Sequence, residues 1–192
     1  MKCNAILNKL QVEDTPFAGV KILHPAAYPD NRGCFFEAWQ RIRYEAQGLT
    51  ADFVQDNIVT SHRGVLRGLH FQYPQAQIKL VSASYGEVFD VVVDVRRHSP
   101  TYKQWLAVNL SAENHLQLWI GLGFAHGYQV LSEVAILSYK CSQVYEPSCD
   151  RTVFWADPTI NIQWPLPEPV LSAKDAVAPR LDMFTDDDLF PD

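Results

Sequence analysis

The sequence predicts an all-β fold, a single antiparallel barrel or jelly roll with N- and C-terminal arms, in one domain spanning residues 1–192. Three observations carry this expectation. Short runs rich in β-branched residues recur along the chain, and turn residues separate many of them at intervals of about eight to twelve, the spacing of sandwiches and barrels. Helical signal is thin. With 192 residues and 47% hydrophobic content, the chain is long enough to enclose one continuous core.

Taken in order, the first clear element is a helix over Gln40 to Gln47 (QRIRYEAQ), mostly good helix formers. Gly48 follows, and glycine readily takes the left-handed conformation that ends many helices. Arg67 to Gln72 reads as a strand, with Arg67, Leu69 and Phe71 on one face and Gly68, His70 and Gln72 on the other. Gln77 to Ser84 (QIKLVSAS) alternates loosely and is expected to pair as a hairpin with Glu87 to Arg96 (EVFDVVVDVR) through Tyr85-Gly86. In that second strand Asp90 and Asp94 interrupt an apolar run. Further strands are expected at Gln104 to Leu110, His115 to Ile120, Tyr128 to Leu131, Ala135 to Val144 and Thr152 to Trp155. The tail from Pro165 is rich in Pro and Asp, with a short helix around Ala173 to Val177.

Composition narrows the partners. The net charge is −6, with acids gathered at Asp186, Asp187, Asp188 and Asp192. No stripe of Lys or Arg is present, so a nucleic acid is not an expected partner. Scattered arginines can still converge on a small anionic substrate. The four cysteines, Cys3, Cys34, Cys141 and Cys149, form no C-x-x-C pair and suit free thiols in a reducing compartment. Met1 to Lys9 lacks a basic segment followed by an apolar run, and no stretch approaches the roughly 20 apolar residues of a membrane span. The expectation is a soluble, cytoplasmic protein with no membrane partner.

Three clusters bear chemistry. In the first, His70 and Gln72 share a strand face and Lys79 on the next strand can reach the same interior; alone, such a histidine is more often a hydrogen-bonded core group than a catalyst. The second is Gly121-Leu122-Gly123-Phe124-Ala125-His126-Gly127-Tyr128. Its glycines would let backbone approach a ligand closely, or would form a hairpin in which His126 only satisfies a backbone carbonyl. The third comprises Tyr139-Lys140, Tyr145 and Leu171-Ser172-Ala173-Lys174-Asp175, where tyrosines are ordinarily core residues and Lys174 and Asp175 an ordinary surface pair. A cupin-type metal site would need His-x-His and a following Glu. Here Gln72 takes the second place and no Glu follows until Glu87, so no metal is expected. Phosphate-loop, dinucleotide and nucleophile-elbow motifs are absent, so no cofactor is expected either. What remains is acid–base chemistry: His to take a proton, Tyr to deliver one and Lys to hold developing negative charge, a set suited to proton abstraction beside a carbonyl.

At these residues the sequence resembles the dTDP-4-dehydrorhamnose 3,5-epimerases, cupin-fold enzymes of deoxysugar biosynthesis. The resemblance runs from roughly Leu23 to Leu181. It includes Asp30-Asn31-Arg32-Gly33 with Phe35, Phe36 and Glu37, then Gln55-Asp56-Asn57 and Gly64-Val65-Leu66-Arg67-Gly68-Leu69-His70-Phe71-Gln72. Lys79-Leu80-Val81, Asp90-Val91-Val92-Val93-Asp94-Val95-Arg96 and Ser99-Pro100-Thr101 follow. Gly123-Phe124-Ala125-His126-Gly127, Trp164-Pro165 and Leu171-Ser172-Ala173-Lys174-Asp175 complete it.

The resemblance implies a cupin jelly-roll barrel with an N-terminal strand arm and short C-terminal helical segments. It implies epimerisation of a dTDP-4-dehydro-6-deoxyhexose at C3 and C5, with no cofactor. His70 is implied as the general base supported by Asp175, Tyr139 as the acid on the opposite face of the ring, and Lys79 as the stabiliser of the enolate oxygen. Nucleotide and phosphate contacts carry over to Arg32, Glu37, Gln55, Asn57, Arg67, His126 and Lys174, and Tyr145 resembles an aromatic residue of the substrate pocket. The family also implies a homodimer with exchanged N-terminal segments, so that Arg32 and Glu37 serve the partner's site. The chain departs from the family pattern at Gly121-Leu122, where a proline pair is usual, at Tyr128, where Phe is usual, and at Asp150, where Glu is common. The loop between His70 and Lys79 is about one residue short. An epimerase acting at C3 or C5 alone, or a non-catalytic nucleotide-sugar-binding cupin, are the alternatives.

Overall fold

A computed structural model describes residues 10–190. Its strands are β1 (Leu10–Asp14), β2 (Val20–Pro25), β3 (Ala27–Asp30), β4 (Gly33–Phe36), β5 (Gln55–His62), β6 (Leu66–Gln72) and β7 (Lys79–Tyr85). They continue with β8 (Glu87–Asp94), β9 (Trp105–Ser111), β10 (Gln117–Ile120), β11 (Phe124–Val130), β12 (Val134–Cys141) and β13 (Asp150–Thr152). A six-stranded sheet in the order β1-β2-β10-β7-β12-β5 faces a five-stranded sheet in the order β13-β6-β11-β8-β9, with every ladder in both sheets antiparallel. This is the cupin-like jelly roll expected from the sequence.

Apolar side chains from both inner faces, among them Val81, Ala83, Leu137, Val88, Val92, Leu110 and Val130, fill part of the interior. The outer face of the five-stranded sheet is also covered. The tail folds back so that Leu181, Phe184, Leu189 and Phe190 pack against Leu69, Phe71, Val91 and Val93. Burial on both faces explains why β8 reads as an almost continuous apolar run rather than an alternating one. β5, with an open outer face, alternates instead: Ser61 is buried while Ile58 is 75% exposed.

The short helix α1 (Arg41–Glu45) begins at Gln40, whose side chain accepts from the Arg43 amide at 2.6 Å, and ends before Gly48 at φ +78°. It seats Tyr44 with Trp39, Phe53 and Trp119 on the outer face of the six-stranded sheet. A second helical turn, α2 (Ala173–Ala176), lies in the tail. Ser172 caps it by accepting from the Asp175 amide at 3.1 Å. The isolated hairpin β3–β4 leaves the barrel with every residue exposed except half-buried Phe36.

Two sequence expectations require correction. β7 and β8 do not form a hairpin: β7 pairs with β10 and β12, and β8 pairs with β9 and β11. Tyr85-Gly86 instead carries the chain from one sheet to the other. Gly86 has φ +70°, and a Cβ there would lie 2.1 Å from the Val134 carbonyl, so this corner admits only glycine. The faces of β6 also differ from strict alternation. His70 lies opposite His126 and Arg67 opposite Tyr128, so β6 spends an extra residue between these pairs. This bulge turns Arg67 to the same side as His70.

Candidate active site

The interior not filled by apolar side chains forms two adjoining cavities that share His70, Lys79 and Tyr139. One, of about 240 Å³, is lined also by Arg67, His126 and Tyr128. The other, of about 420 Å³, extends past Gln55, Asn57, Cys141 and Asp150 to exposed Tyr145 and Lys174.

His70 comes from β6 in the five-stranded sheet. Its Nε2 is 2.6 Å from Oδ1 of Asp175, a carboxylate only 2% exposed beneath α2. Burial alone would raise the Asp175 carboxyl. Hydrogen bonds from His70, Ser172 and the Gly68 backbone, with the charge on His70, outweigh it and hold the group below the usual carboxylate value. When Nε2 donates to the ionised Asp175, Nδ1 is the ring nitrogen left to take a proton.

Lys79 and Tyr139 come from the opposite sheet. Lys79 on β7 lies across from Cys141, two residues beyond Tyr139 on β12, so both side chains share one face as diagonal neighbours. Burial pushes the Lys79 ammonium below its usual value, while Cys141, Asp90 and Asp150 pull it back up. Burial pushes the Tyr139 phenol up, with Cys141 and Tyr128 adding to the rise, so it stays protonated at neutral pH. The cavity therefore sets a carboxylate-held imidazole on one wall against a protonated phenol and a buried ammonium on the other. Such a set can remove a proton from one face of a ring and return one to the other.

The polar residues around them are held in a chain of contacts. The Gln55 side-chain amide donates to Asn57 at 3.0 Å and accepts from the Tyr145 backbone amide at 2.8 Å. Asp150 Oδ2 accepts from the Tyr145 hydroxyl at 2.9 Å and pairs with Lys174. Arg67 donates from Nε to Ser61 at 3.1 Å. His126 Nε2 lies 2.9 Å from Asp90, which is fully buried, so this ring is fixed by a carboxylate and not by a backbone carbonyl. Of the glycines beside it, Gly127 lines the smaller cavity. It also meets Gly68 across β6 and β11, where a Cβ on Gly68 would come within 2.5 Å of the Gly127 Cα. Within one chain, Arg32 and Glu37 stand outside both cavities. Arg32 pairs with Asp30 at the tip of β3–β4, and Glu37 pairs with Arg43. The described residues hold no cluster of three His, Cys, Asp or Glu spaced for a metal ion.

Sequence reasoning passed over Asp90 and Cys141 as site residues. Asp90 carried a usable signal, since an acid inside an apolar strand must be paired if buried. Cys141 carried none, because thiols are commonly buried as small apolar groups.

A jelly roll with this opposed imidazole, phenol and ammonium defines an acid–base isomerase of the cupin class. The sequence profile of the dTDP-4-dehydrorhamnose 3,5-epimerases matches residues 14–183. The dTDP-4-dehydrorhamnose 3,5-epimerase of Salmonella typhimurium is 52% identical over 171 residues, covering 88% of this chain and 93% of that protein. Its counterpart in Pseudomonas aeruginosa is 51% identical over 174 residues, covering 90% and 94%. Among solved structures, the Legionella pneumophila dTDP-6-deoxy-D-glucose-3,5-epimerase RmlC, in complex with dTDP-4-keto-L-rhamnose, superposes with a TM-score of 0.91 at 48% identity, covering 94% and 97%. The chain belongs to the dTDP-4-dehydrorhamnose 3,5-epimerase family.

Proposed function

We propose that this protein epimerises a dTDP-4-dehydro-6-deoxyhexose at C3 and C5, with His70, Asp175, Lys79 and Tyr139 as the reacting set. The C4 ketone acidifies the hydrogens on both neighbouring carbons. His70 takes one of them, and the electron pair of the broken C–H bond moves into a carbon–carbon double bond, leaving the charge on the C4 oxygen. The Lys79 ammonium faces that oxygen, and the ionised Asp175 stabilises the imidazolium. The C4 ketone re-forms as the double-bond electron pair takes a proton from Tyr139 on the other side of the carbon; solvent then restores the phenol and takes the proton from the His70 imidazolium. One observation carries this reading: His70 and Tyr139 stand on opposite sheets across one cavity, as inversion requires.

In the same reading Gln55, Asn57, Arg67, His126, Tyr145 and Lys174 hold the nucleotide and its diphosphate, with arginine suited to pair phosphate oxygens in two places. Lys174 is then released from Asp150 to the phosphates. We also propose a cytoplasmic homodimer, acting as one domain per chain. Support comes from the exposed hairpin β3–β4, where Phe35 is 68% exposed, and from the uncovered face around Ile58. Arg32 and Glu37, remote from their own cavity, then reach the partner's. No helix among the described residues is long and apolar enough to cross a membrane.

The test is NMR of dTDP-4-dehydro-6-deoxyglucose with the protein in deuterated water. Loss of both the C3 and C5 hydrogen signals, abolished by His70→Ala, is expected. Exchange at one carbon alone would restrict the activity to that carbon, and no exchange would overturn the reading.

A further inference from the structure

Tyr128 brings a phenolic oxygen to the wall of the smaller cavity. Its ring sits on β11 within the apolar core, and its side is shared with His126, Arg67 and Tyr139 around the smaller cavity. The residue is 5% exposed, and its hydroxyl has no hydrogen-bond partner among the described residues. Ser61 and Arg67 lie near enough to draw its pKa down against the rise from burial, but neither reaches hydrogen-bond geometry with the hydroxyl in the free protein. Burial dominates its environment and keeps the phenol protonated, so it is a donor at neutral pH. A buried donor left unpaired is destabilising, and phenylalanine at the same place would avoid that cost. A ligand oxygen entering this cavity would meet that donor.

We propose that the Tyr128 hydroxyl donates a hydrogen bond to an oxygen of the hexose lying between His70 and Tyr139, making Tyr128 a specificity-determining residue for the sugar. This rests on the reading of the cavity as a nucleotide-hexose site. In that reading the diphosphate held by Arg67 and His126 borders the same cavity, but it is common to dTDP and to its hexose conjugate, and the larger cavity beyond does not include Tyr128. A bond from Tyr128 to the hexose would therefore be missing when dTDP binds alone.

Calorimetric titration separates the two parts. The probes are dTDP and dTDP-6-deoxyglucose, which carries a hexose without the reactive ketone, titrated into the wild type and Tyr128→Phe. The hydroxyl's loss should weaken dTDP-6-deoxyglucose by roughly 3- to 15-fold while dTDP stays within about twofold, as for one neutral hydrogen bond. The melting temperature of the free variant should be unchanged or higher, because an unpaired buried hydroxyl is removed. Equal weakening of both ligands, or of neither, would overturn the proposal. So would a fall in the free protein's melting temperature, which would mark the hydroxyl as bonded within the fold. A wild type that binds dTDP-6-deoxyglucose no better than dTDP would instead overturn the reading of the cavity itself, and this proposal with it.

Discussion

The His70–Asp175 contact sets the pH behaviour of the site. The Asp175 carboxyl titrates below its ordinary value in the folded protein, so its ionised form stabilises the fold. That stabilisation is fully present above the unfolded carboxylate value and is lost as pH falls through the depressed folded one. Asp175→Asn should therefore flatten the acid limb of the stability curve below about pH 4, measured by thermal melts across pH. The same change should cut kcat by roughly 10–100-fold, since the imidazolium loses its counter-charge.

Lys79 has the opposite sign. Its folded value is depressed by burial, so the ammonium opposes folding at neutral pH, and stability rises as pH climbs through that value. Lys79→Met should raise Tm by about 2–6 °C while lowering kcat about 10²- to 10³-fold. A variant that loses both stability and activity would show that Lys79 is paired in the fold and not held for a developing oxyanion. Little of this was legible beforehand. His70, Lys79 and Tyr139 could be singled out as residue types, but the burial that sets their charge states depends on contacts distant in sequence. The Asp175 contact spans a separation of 105 residues, and no local pattern predicts it.

Among the elements, β6 matters most to the site. Period-two reading put Arg67 on the opposite face from His70; the bulge at Gly68 brings both to the cavity. Gly68 has φ +122°, and a Cβ there would strike the Gly127 Cα and the His126 carbonyl, the latter at 2.8 Å. Gly68→Ala should cost about 2–4 kcal/mol of stability and, in whatever fraction folds, displace Arg67 from the cavity. Denaturant titration reads the first effect, and affinity for dTDP the second. The existence of most strands was legible because β-branched runs and turn residues mark them. Their pairing was not. A turn at Tyr85-Gly86 looks the same whether it closes a hairpin or carries the chain between sheets, and only the packing of Val134 and Ser132 around Gly86 decides. The tail shows the reverse: its Pro- and Asp-rich composition conceals Leu181, Phe184, Leu189 and Phe190, which pack in one cluster with Leu69, Phe71, Val91 and Val93 of the five-stranded sheet.

For the whole molecule, the proposed homodimer joins two chains through the hairpin that carries Arg32. If Arg32 completes the partner's site, His70→Ala and Arg32→Ala proteins, each nearly inactive, should regain activity when unfolded and refolded together. Half the dimers would be mixed and each would carry one intact site, giving about a quarter of wild-type activity. Sedimentation should show a particle of twice the chain mass, and Phe35→Glu should shift it toward monomer. Residual activity equal to the average of the two variants would place Arg32 in its own chain's chemistry, or outside it.

The central claim is that protons leave one face of the sugar to His70 and arrive on the other from Tyr139. The most direct measurement is NMR of dTDP-4-dehydro-6-deoxyglucose in deuterated water with Tyr139→Phe, following exchange and configuration at C3 and C5 separately. Removal of the proton and its return from the same face need only His70. Exchange should thus persist within about tenfold of the wild type while inversion falls by roughly 10²-fold or more. Inversion at a rate near that of the wild type would contradict the account.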